Sequence, residues 1–155
     1  MTEPQFNSYP LQFVRSLLDL YDSSATECDG MTRLCATALD NHSVTFTAYQ
    51  GKCLVHHPDD SYQAVDHHFW ITLTADHSQD EWTVDYRLQC VVHPAKVGHG
   101  IFQSSAFPNV SYIPDCQIEL KALPPLMVRE LQLGWQHLYQ NLMKESTTPP
   151  QADGV

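Results

Sequence analysis

Three side chains, Cys28, His68 and Asp85, have the types that could together make a nucleophile, a base and a carboxylate that orients the base. The run "TECD" fits a capping box, in which the Thr26 hydroxyl accepts from a first-turn amide and Asp29 reaches back, and this would set Cys28 in the first turn of a helix. Unpaired amides and the positive end of the helix dipole favour a thiolate there. Gly30 fits two readings: a bare backbone that lets a substrate chain lie close, or a frayed helix start. In "VDHHFWITLTA" alternation puts His68, Trp70, Thr72 and Thr74 on one face, and in "EWTVDYRL" it groups Thr83, Asp85 and Arg87. A hairpin closed around "ADHSQ" sets His68 directly opposite Asp85, with β-carbons about 5 Å apart. The carboxylate would then fix the imidazole tautomer and stabilise its protonated form. Residue types and spacing leave two readings open, a reactive constellation and an ordinary pair on an antiparallel sheet.

Positioning these groups takes helices and strands in a fixed order. Leu11, Val14, Leu17, Leu18 and Tyr21 recur at helical spacing after Pro10, and Met31, Leu34, Cys35, Ala38 and Leu39 do so over a second helix that ends near "DNH". Cys35 lies within that apolar stripe and reads as core. Four β-rich runs follow, "SVTFTAYQ", "GKCLVHH", "VDHHFWITLTA" and "EWTVDYRLQCVV", and are expected to pair antiparallel. The glycines and prolines of residues 93–114 predict a long surface loop, of which His93 to Phe107 is either a substrate-contacting segment or a plain connector. "CQIELKAL" reads as a further strand, and "PPLMVRELQLGWQHLYQNLMK" as a terminal helix with Met127, Leu131, Trp135, Leu138 and Leu142 facing inward. The expected whole is one α+β domain over residues 1–144, with helices on an antiparallel sheet, and a disordered tail over 145–155.

Composition narrows the partners. Eighteen acidic against eight basic side chains leave a formal charge of −10, which repels nucleic acid and anionic lipid. No apolar run approaches the roughly 18 residues of a membrane span, and "MTEPQFNSYP" has no signal-like character, so no membrane partner and a cytoplasmic location are expected. Five irregularly spaced cysteines read as thiols rather than as a disulfide framework. The adjacent pairs His56 with His57 and His67 with His68 point to opposite faces of a strand, which leaves no chelating set, so neither a metal nor another cofactor is expected.

The ordered set "CDGMTRLCATALDNHSVTFTAYQG", "HFW" and "WTVD" resembles the transglutaminase-like superfamily of papain-like cysteine enzymes. The likeness covers about residues 26 to 88 and departs from the family pattern at Thr26, Thr47 and Tyr86. The resemblance implies a papain-like, transglutaminase-like core with Cys28 as nucleophile, His68 as base and Asp85 as orienter. It also implies acyl transfer or hydrolysis on amide bonds of a protein or peptide, with part of the oxyanion hole supplied by the Cys28 amide. Gly30, Trp70 and Trp82 would then lie near substrate, although either tryptophan also suits a core. The rival is a non-catalytic peptide-binding or assembly module on the same fold.

Overall fold

In the computed structural model, which describes residues 2–92, 96–134 and 143, the second helix of the sequence reading is the element on which the rest packs. The chain runs β1 (Gln5–Phe6), β2 (Tyr9–Pro10), α1 (Leu11–Asp19), α2 (Cys28–Asn41), β3 (Thr47–His56), β4 (Tyr62–Thr74), β5 (Glu81–Asp85), α3 (Leu88–Val91), β6 (Gly100–Gln103), β7 (Val110–Ile118) and α4 (Pro125–Leu133). Strands β3 to β7 form one antiparallel sheet in the order β6-β5-β4-β3-β7, while β1 and β2 make a separate small hairpin. Helices packed on an antiparallel sheet make the fold α+β.

Each face of the sheet carries its own apolar cluster. On one face Val14 and Leu18 of α1 and Met31, Leu34, Cys35 and Leu39 of α2 meet Ile71, Leu73, Trp82, Val84 and Ile101. Alternation along β4 and β5 places those residues together, as the period of the sequence predicts. The other face gathers Cys53, Val55, Leu88 and Val92, with Val65, Val110 and Tyr112 packed against them. Val128 and Leu131 of α4 join the first cluster, whereas Met127, expected inside, is 45% exposed. The expected Trp135, Leu138 and Leu142 contacts and the tail over 145–155 lie outside the described residues. Among the described residues no helix is long and apolar enough to cross a membrane.

Several expectations are corrected. Gly51 does not separate two strands, because β3 runs unbroken through it. Its missing side chain instead admits the backbone of β7: a Cβ there would strike Ile113 O and stand 2.8 Å from Pro114 Cα. Residues 93–114 are not one long loop, since β6 pairs with β5 and β7 begins at Val110 despite Pro114. An edge strand has no second neighbour requiring the missing proline N–H, which is why β7 tolerates it. The strand expected over "CQIELKAL" ends at Ile118.

Two bulges flank Gly51. Between the pairs Gly51 with His68 and Cys53 with Val65, β4 carries one residue more than β3; between Gln50 with Cys116 and Gly51 with Pro114, β7 does the same. His67 takes up the excess in β4 with a φ of 54° and stands exposed. Surplus residues on both neighbours of one strand sharpen the local coil of the sheet. That coil frames the site described next.

Candidate active site

Cys28 is the first residue of α2, but no capping box puts it there. The N-cap is Glu27, without a side-chain hydrogen bond, and Asp29 accepts instead from the Gly30 amide at 2.8 Å. Thr26 is drawn over Gly30: a Cβ on that glycine would fall on the Thr26 hydroxyl. Gly30 therefore serves the turn before the helix and leaves no opening for substrate. The Cys28 and Asp29 amides have no acceptor among the described residues.

The hairpin register differs from expectation by two residues. Ile71 pairs with Val84 and Thr72 with Thr83, so the same register carries Trp70, not His68, to the position opposite Asp85. The loop is displaced because Asp76 is held by the distant first hairpin, its carboxylate accepting from the Asn7 amide at 3.0 Å and the Ser8 amide at 2.7 Å. A shift of two preserves the face of every side chain. His68 therefore meets Asp85 diagonally, and its Nε2 lies 2.6 Å from Asp85 Oδ2.

Both members of that pair are buried, at 2% and 3% exposure. Asp85 Oδ1 accepts from the Arg87 and Leu88 amides at 2.9 and 3.0 Å, and Oδ2 also accepts from the Tyr112 hydroxyl at 2.9 Å. Four donors thus converge on one carboxylate and hold its negative charge away from water. Cys28 arrives where β5 stops at Asp85 and β4 runs on, its Sγ 4.0 Å from the His67 carbonyl oxygen on the bulge, and it lines one cleft with His68. With Nε2 engaged by Asp85, Nδ1 is the ring nitrogen left for the thiol. Burial pulls the His68 pKa down, but the Asp85 hydrogen bond and the Cys28 thiol outweigh it and carry the imidazole up to about 9.

Arg87 locks the segment ahead of the nucleophile. Its guanidinium donates to the carbonyls of Thr26 at 2.8 Å, Ser24 at 3.0 Å, Asp22 at 3.1 Å and Tyr86 at 3.0 Å, and to the Asp22 carboxylate at 3.3 Å. The turn that anchors Asp85 therefore also carries the clamp on residues 22–26. Arg87→Lys keeps the charge but cannot reproduce the planar fork. It is expected to lower stability by about 2 kcal/mol through carbonyls left unpaired, measured by urea denaturation.

Of the other residues singled out, Trp70 is buried behind the imidazole, stacked on His68 at 6.2 Å between ring centroids and on Tyr49 at 5.8 Å. Trp82 is on the opposite face of the sheet, edge-on to Phe6 at 5.8 Å, and its buried Nε1 has no partner among the described residues. Gly30 and Trp70 thus shape the surroundings of the site, Trp82 belongs to the core on the far face, and none of the three lines the cleft beside Cys28. That cleft, about 730 Å³, is bordered by Glu27, Val65, Asp66 and Val91. Cys35 lies in the core at 1% exposure, where burial pushes its thiol up. Among the described residues no three His, Cys, Asp or Glu side chains are grouped to hold a metal. Tyr112 and Arg87 escaped sequence reasoning, since neither carries a local signal of the partner it meets.

No family model matches the sequence, no curated protein matches it, and no solved structure matches the fold.

Proposed function

We propose that the protein is a transglutaminase-like cysteine enzyme with a papain-like core, acting on amide bonds of a protein or peptide. The observation that carries the reading is the buried His68–Asp85 pair at 2.6 Å, with His68 and Cys28 lining one cleft. In the reaction Cys28 Sγ passes its proton to His68 Nδ1 and attacks the carbonyl carbon of a carboxamide or peptide bond. The Cys28 amide, free of any described acceptor, donates to the developing oxyanion. His68 returns the proton to the departing nitrogen, the C–N bond breaks, and an acyl thioester remains on Cys28. Water then releases an acid, as in a protease or deamidase, or an amine takes the acyl group, as in a transglutaminase. Asp85 keeps the ring aimed throughout and balances the imidazolium charge.

The cleft adds a preference. Glu27 and Asp66 are exposed carboxylates on its rim, Val65 and Val91 flank it, and every Arg87 N–H is already committed to residues 22–26 and 86. A segment with a basic side chain on an aliphatic stem suits such a surface.

Thiol labelling tests the whole reading. At pH 6 Cys28 is expected to alkylate with iodoacetamide at least about tenfold faster than Cys35, Cys53, Cys90 and Cys116, and His68→Ala should remove the difference. A cationic methanethiosulfonate should outpace an anionic one at Cys28, by a margin that shrinks with added salt. Slow, equal labelling of all five thiols would leave the non-catalytic binding module as the surviving account.

A further inference from the structure

Asp85 Oδ2 has two claimants. His68 Nε2 approaches it from β4 at 2.6 Å and the Tyr112 hydroxyl from β7 at 2.9 Å. The strand between them, β3, carries Gly51 and the two flanking bulges at that level, where β7 comes close. The phenol ring is fixed as well, edge-on to Trp70 at 5.1 Å, while Trp70 itself stacks on the imidazole. Oδ1 is fully occupied by two backbone amides, so Oδ2 is the oxygen left for the base.

We propose that Tyr112 is a positioning residue of this site, which shares Asp85 Oδ2 with His68 and so selects the lone pair that receives the imidazole N–H and moderates the pull on its proton. The proposal rests on the reading of Cys28, His68 and Asp85 as reaction machinery, and adds a fourth side chain that touches none of the reacting atoms. A hydrogen bond from a neutral phenol draws charge off the oxygen it binds, leaving less to hold the imidazolium. The titratable groups that act on His68 are Asp85 from β5 and Cys28 from α2, and around Asp85 stand Cys53 from β3, Tyr112 from β7 and Arg87 at the start of α3. Burial pushes both Cys53 and Tyr112 upward, so they remain neutral while His68 titrates. His67 and Asp66, the neighbours of His68 on β4, are solvent-exposed.

The test is a titration of the His68 ring by long-range 1H–15N NMR in the full chain. Tyr112→Phe is expected to raise its midpoint by about half a pH unit, a fraction of what a charge-assisted hydrogen bond is worth. A 3-fluorotyrosine installed at position 112 is a stronger donor that keeps the ring's packing, and is expected to move the midpoint down. A midpoint unmoved by both changes overturns the proposal, as does a shift of the same sign from both. The readout is independent of chemistry at Cys28. Slow Cys28 labelling in the wild type would count against the proposed function, while the midpoint would still decide the role of Tyr112.

Discussion

Asp85→Ala is expected to lower stability by about 3–5 kcal/mol and the melting temperature by roughly 6–20 °C, because it strands a buried imidazole, a phenol and two backbone amides at once. Asp85→Asn separates charge from packing. It retains an acceptor for the Arg87 and Leu88 amides but removes the charge that holds His68 protonated, and Cys28 reactivity should fall by on the order of 10⁴-fold if the carboxylate acts as orienter. The pH dependence of folding gives an independent check. Native His68 binds its proton more tightly than the unfolded chain does, with its pKa raised from 6.5 to about 9. The associated stabilisation, on the order of 3 kcal/mol, is complete below pH 6.5, declines from there to about pH 9 and is absent above. Urea denaturation across that range should show the decline in the wild type and little of it in Asp85→Asn.

Gly51→Ala is the second large effect, at a residue that touches no reacting group. The added methyl would strike backbone rather than a side chain able to swing aside, since Ile113 O, Pro114 Cα and Asp115 N all lie within its reach. Strand β7 must retreat, which costs about 3 kcal/mol by analogy with overpacked cores. The retreat also withdraws Tyr112, the partner of Cys53 two pairs along, from Asp85. Calorimetry should therefore record a loss of stability, and the His68 titration should shift in the same direction as in Tyr112→Phe. Unchanged calorimetry would mean that the two strands do not need to approach so closely.

What could be read from the sequence follows from how local each cause is. The stripe from Met31 to Leu39 was legible because a 3.6-residue period is printed in the helix itself, and the buried Cys35 came with it. The His68–Asp85 pairing was legible through parity, since any even slip of the hairpin leaves both on one face. The register was not, because Asp76 answers to Asn7 and Ser8, nearly seventy positions upstream. Gly51 was misread as a break, for what demands it is the backbone of β7 rather than any turn. Gly98, Gly100, Pro108 and Pro114 concealed β6 and β7, and with them Tyr112. Trp82 could not be assigned to a face of use by type alone; its position beside Phe6 depends on an N-terminal hairpin that left no periodic trace.

The bulge at His67 carries a lesson for anyone who would transplant this arrangement. Regular pleating alone would keep Val65 and Cys53 in step with the imidazole only if the strand were one amino acid shorter, and the carbonyl that now greets the thiol would then belong to the ladder. A graft that copied the three reactive side chains onto an unblemished sheet would aim the ring correctly and still miss the sulfur. The irregularity has to travel with the chemistry.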